Sequence, residues 1–261
     1  MKLGLFSGFN SLLRKYGAKA ALDRIKAMGF CAVEPMHNEN LYTPEMIKAL
    51  NDKLKEKEMS VSCYSVCVDL SAGEDQLDIL KKAIDNAQAL KSPFIHFTLI
   101  PSLNEAKSID EFIDKVANRA RYAADLAAER GICALTENQG YVFNGVKNMK
   151  RFFEAAHSDN LFYCSDLGNS IFVDEDPLTA VRELINVTKH VHIKDYRYLN
   201  ASGTNSSLAG RQFCETVPGE GNLPLKECLD VFKDTDIVLS LEYCGDEEGI
   251  ERTVRNVKNM I

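Results

Sequence analysis

Eight short apolar runs, each followed by a charged segment with helical spacing, fill this chain from end to end. The runs are Leu3–Phe6, Cys31–Pro35, Met59–Val66, Phe94–Leu99, Ile132–Glu137, Leu161–Asp166, His190–Lys194 and Ile237–Tyr243. Runs of this length with little polar alternation read as parallel strands buried on both faces. Between them, Leu77, Leu80, Ala83, Ile84 and Ala87 recur at helical spacing, as do Phe112, Val116, Ala120 and Ala123 through Leu126. Gly29 and Gly131 stand where helices need a left-handed residue to stop. Pro44 and Pro177 suit first turns, with Thr43 and Asp176 as N-caps. Strands alternating with helices predict a parallel sheet with right-handed crossovers, and eight units in 261 residues predict closure. The expected fold is α/β: a single (β/α)8 TIM barrel domain spanning 1–261. A doubly wound open sheet is the alternative, but no GxGxxG follows the first run, so its dinucleotide-binding version lacks support.

One connection is unusually long, the stretch from Tyr196 to Leu223. It reads as a loop over the C-terminal face of the barrel, where enzymes of this architecture do their chemistry. Gly219-Glu220-Gly221 within it reads as a turn before the helix at Pro224.

Composition narrows the partners. A net charge of -7 argues against nucleic acid, which needs a concentrated basic surface. No apolar run approaches membrane-spanning length. The start at Met1-Lys2-Leu3-Gly4 runs straight into a strand-like segment, which predicts no secretory leader. The eight cysteines form no CxxC pair, and several lie in or beside apolar strands, where a thiol behaves as a small hydrophobe. A reduced, cytoplasmic protein is expected.

Four of the runs end on a residue that can hold a divalent metal: Glu137, Asp166, His192 and Glu242. Strands five to eight are neighbours in a barrel, so their ends can place three carboxylates and one imidazole around one ion. Such a set suits Mn²⁺, with Mg²⁺, Co²⁺ or Zn²⁺ as alternatives.

The motifs Leu135-Thr136-Glu137, Asp166-Leu-Gly-Asn169, His192-Ile-Lys-Asp-Tyr-Arg197 and Leu241-Glu242 resemble those of the sugar phosphate isomerase/epimerase family. The opening of strand two, Gly29-Phe-Cys-Ala-Val-Glu34, matches as well, so the resemblance spans the chain. It implies a xylose isomerase-like barrel that includes ketose 3-epimerases, hydroxypyruvate isomerases and inosose-processing enzymes. It also implies metal ligands at Glu137, Asp166, His192 and Glu242, with both Glu acting as acid/base groups, and a homodimer or tetramer. One position departs: many relatives carry His where this chain has Asn169, which weakens an abasic-site endonuclease reading.

The expected activity is isomerisation or epimerisation of a small keto-sugar or hydroxy-ketone through an enediolate, with a divalent ion polarising the carbonyl. A dehydratase using the same enolisation, as in inosose dehydratase, is the alternative. A barrel that binds sugar without turning it over is a further one. Lys194, Arg197, Asn169, His96 and Glu34 are the expected substrate contacts, with Glu34 also read as support behind the ligands. Asp195 reads as an ion pair or a loop cap. Phe6, Phe9, Met36 and Phe97 are expected to form an apolar wall. His190 alternates with His192 and reads as a core histidine, His37 as a rim residue and His157 as a surface one.

Overall fold

A computed structural model describes residues 1–99 and 107–261. The strands of its main sheet are β1 (Lys2–Leu5), β2 (Ala32–Val33), β3 (Ser60–Val61), β4 (Tyr64–Val66), β5 (Phe94–Phe97), β6 (Cys133–Glu137), β7 (Leu161–Asp166), β8 (Thr188–Ile193) and, after three strands of a smaller sheet, β12 (Val238–Leu241). They pair in parallel in the order β3-β2-β1-β12-β8-β7-β6-β5-β4. β3 and β4 are two pieces of one run, so the two ends of the order meet. Met36, just beyond β2, bridges to Ser65 and completes the ring. The barrel is the closed parallel (β/α)8 barrel expected from the alternation of strands and helices.

The break between β3 and β4 has a visible cause. Ser62 faces the interior, with its Oγ 3.3 Å from Ser240 Oγ. Cys63, the next residue, also faces inward and packs with Leu135 and Cys164. Two consecutive inward residues interrupt the two-residue pleat, as a bulge does. From His190 onward β8 keeps the alternation: Val191 and Ile193 pack outward into the main apolar core, while His190 and His192 point inward.

The helices that cover the barrel begin and end where their caps dictate. α1 (Phe9–Met28) is broken at Gly17, with φ 71°, and stops at Gly29, with φ 102°. α2 (Pro44–Glu56) opens with Thr43 Oγ1 accepting from the Met46 N–H at 3.3 Å. α3 (Glu74–Ala89) and α4 (Ile109–Ala128) follow, and Gly131 takes φ 69° just beyond α4. α5 (Gly140–Phe143) and α6 (Val146–Ala156) separate β6 from β7. α7 (Pro177–Leu184) is capped by Asp176, which accepts from the Thr179 N–H at 2.8 Å. α8 (Leu225–Asp230) and α9 (Glu247–Met260) close the chain.

The stretch from Tyr196 to Leu223 is not the plain loop expected. It folds into an antiparallel sheet of β9 (Tyr196–Leu199), β10 (Asn205–Ser206) and β11 (Gln212–Glu215), in the order β10-β11-β9. Its own small core of Tyr196, Phe213 and Leu223 packs on Ile171, with Phe172 against its edge. A local core lets this insertion hold its shape without entering the barrel.

Asp195 anchors that sheet to the barrel. Its Oδ2 accepts from the Gly219 and Gly221 N–H groups, both at 2.9 Å, and its Oδ1 from the Tyr196 N–H at 2.8 Å and the Leu223 N–H at 3.4 Å. Of the two expected roles, the structure therefore shows the loop cap. A Cβ on Gly221 would lie 2.1 Å from Asp195 Oδ1, so only glycine permits this approach. Asp195→Ala strands the buried Tyr196 and Leu223 N–H groups, releases those of Gly219 and Gly221, and is expected to cost about 2–3 kcal/mol. Thermal unfolding should show a midpoint lowered by about 5–10 °C, and limited proteolysis should show new cleavage between 196 and 223. An unchanged midpoint would remove Asp195 as the anchor.

Candidate metal centre

The sheet order places β6, β7, β8 and β12 side by side, and their C-terminal ends carry the four residues. Asp166 is level with His192, and Glu137 is level with Cys164. Glu242 continues the ladder past β12 by donating its N–H to the Ile193 carbonyl at 3.0 Å. One ligand atom from each of Glu137, Asp166, His192 and Glu242 lies within 4.8 Å of the others. Nδ1 of His192 is the hub, 3.1 Å from Glu137 Oε2 and 3.2 Å from Glu242 Oε2. The Phe6 ring stacks on the imidazole at 4.7 Å between centroids, so the expected apolar wall has at least one member against the site.

Asp166 is held from below. Its Oδ1 accepts from the Gly168 and Asn169 N–H groups, both at 2.8 Å. Asn138, which sequence reasoning missed, clasps the Asp166 backbone through its side-chain amide. Oδ2 of Asp166 is buried without a hydrogen bond, as is Oε2 of Glu242. Lys194 reaches into the gap, with Nζ 3.2 Å from Asp166 Oδ2 and 2.6 Å from Glu242 Oε1.

Charge in this volume is unevenly shared. Burial pushes the Asp166 carboxyl up to about 7, with Lys194 pulling the other way. Glu242 is also desolvated, but Lys194 and His192 outweigh the burial and hold it below the usual carboxylate range. Burial disfavours the Lys194 ammonium, yet Asp166 and Glu242 reverse the balance and raise it. Buried oxygens without donors, converging with one imidazole nitrogen, are what a hard divalent cation requires. The donor set fits such an ion.

Glu34 and His96 occupy a lower level than substrate contacts would. Glu34 has no exposed surface; Oε1 lies 3.0 Å from His192 Nε2 and Oε2 lies 2.7 Å from His190 Nε2. Desolvation opposes its charge, but His192 and His190 hold its carboxyl well below the usual range. His96 is 1% exposed, bonded through Nδ1 to Ser65 Oγ at 3.1 Å, and burial lowers it to about 4. With no surface to offer, both stand behind His192, which corrects the expected substrate contact. Asn169 is likewise turned to the protein, donating to the Asn138 carbonyl at 2.9 Å. Arg197 is exposed on β9 and donates to the Glu220 carbonyl at 2.9 Å. Of the expected substrate contacts, Lys194 is the one whose side chain stands among the carboxylates of the site. His190 is the core histidine expected, His37 lies beside Tyr64, and His157 is exposed at the end of α6.

Comparison with known proteins places this geometry. The sequence profile described as xylose isomerase-like TIM barrel matches residues 22–260. The chain belongs to the xylose isomerase-like TIM barrel family. Within it, an inosose dehydratase of Clostridium perfringens is 23% identical over 153 residues, covering 56% of this chain and 49% of the relative. The chain thus spans about half the length of the curated relatives it matches. Two solved structures share the fold. The probable 3-DHS dehydratase AsbF of Bacillus anthracis aligns with a TM-score of 0.81 at 20% identity, covering 99% of both chains. A D-tagatose 3-epimerase-like protein aligns at 0.76 and 20% identity, covering 100% of this chain and 97% of the other. Among the described residues, no helix of this family member is long and apolar enough to cross a membrane.

The centre is tested by Mn²⁺ titration of chelator-stripped protein. One ion per chain is expected to bind, with binding lost in His192→Ala. Binding that survives that substitution would place the ion elsewhere.

Proposed function

We propose that this protein is a divalent-metal-dependent isomerase or epimerase acting on a small keto-sugar or hydroxy-ketone, with Mn²⁺ as its cation. The observation that carries the reading is the pair Glu137 and Glu242. Both reach His192 Nδ1, at 3.1 and 3.2 Å, from opposite ends of a four-strand arc. Carboxylates flanking one point can take a proton from one face of a carbon and return one to the other. A divalent cation held by Glu137, Asp166, His192 and Glu242 supplies Lewis-acid polarisation of a substrate carbonyl.

The chain's own residues do the rest. Glu242, kept ionised by Lys194 and His192, suits the base that removes the proton α to the carbonyl. Glu137 on the far side suits the group that returns it. Lys194 is 12% exposed in its side chain and stands between Asp166 and Glu242, where its ammonium can donate to a substrate oxygen. Phe6, stacked on His192, shields that imidazole from water on one face.

A second reading is favoured by the names of the curated relatives, which are inosose dehydratases. The first proton removal is the same. The carbanionic intermediate then expels a β-hydroxyl, which leaves as water with one added proton, instead of being reprotonated.

Incubating the Mn²⁺-loaded enzyme in D₂O with a panel of ketoses and keto-inositols separates the two. Isomerase or epimerase activity exchanges a carbon-bound hydrogen for deuterium and keeps every oxygen. Dehydratase activity yields a product lighter by one water. Glu137→Gln and Glu242→Gln, assayed at saturating Mn²⁺, are each expected to lower kcat by about 10²–10⁴-fold. Turnover that persists in both variants would sink the two-base reading.

A further inference from the structure

We propose that Glu34 is a positioning residue that fixes the proton positions on three buried imidazoles and thereby reserves Nδ1 of His192 as the nitrogen a cation among the three carboxylates can take. The inference rests on the reading of Glu137, Asp166, His192 and Glu242 as a metal centre, and not on which sugar chemistry follows.

The argument is a count of protons. Three of the chain's five histidines, His96, His190 and His192, lie in the barrel interior at 0–1% exposure. A carboxylate has no proton to give, so every hydrogen bond to it fixes a donor on the other side. Glu34 Oε2 lies 2.7 Å from His190 Nε2, so that nitrogen carries a proton. Glu34 Oε1 lies 3.0 Å from His192 Nε2, so that one does too. Ser65 Oγ donates its single proton to Glu34 Oε1 at 2.5 Å. The same Oγ lies 3.1 Å from His96 Nδ1 and has only lone pairs left, so His96 carries its proton on Nδ1. One carboxylate thus determines all three rings. His96 Nε2 and His190 Nδ1, the nitrogens left bare, have no partner in the interior.

His192 is the ring for which this matters. With Nε2–H committed to Glu34, Nδ1 is the nitrogen left to face the site, 3.1 Å from Glu137 Oε2 and 3.2 Å from Glu242 Oε2. By the same rule it carries a proton toward those carboxylates when no ion is bound, and a cation held there would take that proton's place. Carboxylates behind ligating imidazoles orient the ring and raise its basicity, and losing one costs about 10- to 100-fold in metal affinity.

The neighbours also make the response to substitution asymmetric. An amide at position 34 keeps one acceptor and gains one donor. Ser65 and His192 both address Oε1, so the amide oxygen belongs there and its NH₂ faces His190. His190 can answer by moving its proton to its unpartnered Nδ1, while His192 stays as it was. Methionine at 34 offers no acceptor, and His192 loses its bias.

Proton-detected ¹⁵N NMR of the histidine rings tests this, with Zn²⁺ as the diamagnetic probe ion. In the Zn²⁺-loaded wild type the expected states are Nε2–H on His190, Nδ1–H on His96, and Nε2–H with a metal-shifted Nδ1 on His192. Glu34→Gln should switch His190 alone and keep most of the Zn²⁺ affinity. Glu34→Met should weaken Zn²⁺ about 10- to 100-fold. Nδ1–H on His192 in the Zn²⁺-loaded wild type, or equal affinity in all three proteins, would overturn the proposal. If no Zn²⁺ binds, the metal-centre reading fails instead. The His96 and His190 tautomers of the metal-free wild type then decide the part played by Glu34, whichever variants fold.

Discussion

A carboxylate with no exposed surface sits in the middle of this barrel, and the interior is built round it. Glu34 is surrounded by His190, His192 and Ser65, contributed by β8 and β4, and itself directly follows β2. An isolated charge in such a place would be prohibitive, and only a full set of donors makes it tolerable. The polar interior is therefore one connected unit. Its lower level, Glu34 with its donors, supports an upper level of three carboxylates, one imidazole and one ammonium.

The upper level is under electrostatic tension. Glu137, Asp166 and Glu242 converge within 4.8 Å, close enough for their charges to repel strongly in a desolvated volume. His192 and Lys194 relieve part of this, while burial first, and then the charges of Glu242 and Glu137, raise Asp166 to about 7. Folding alone gives no reason to gather these groups, since apolar side chains fill most barrel interiors. The tension makes sense as the cost of a site made to receive positive charge.

The small sheet from Tyr196 to Glu215 follows closely on β8, which carries His192 and is extended by Lys194. Asp195, the next residue, faces the other way and caps the turn at Gly219 and Gly221. Two consecutive residues thus join the site to the structure over it: Lys194 reaches the carboxylates and Asp195 fastens the insertion.

The amino-acid sequence by itself determined the eight strand–helix units, their caps at Thr43, Asp176, Gly29 and Gly131, and the identity of the residues at four strand ends. All of these are local: they follow from apolar periodicity, capping chemistry and the two-residue alternation that puts His190, His192 and Lys194 on one face. Only the tertiary structure decided that Glu34 serves His190 and His192, which lie 156 and 158 residues away. It also decided that Asn169 and His96 turn into the protein, that Arg197 points away, and that a presumed loop pairs into a sheet. Those outcomes depend on which strands closure brings across the interior and which backbone groups are left seeking partners. No local period encodes either, because contacts across a barrel are set by its circumference and register, not by neighbours in the chain.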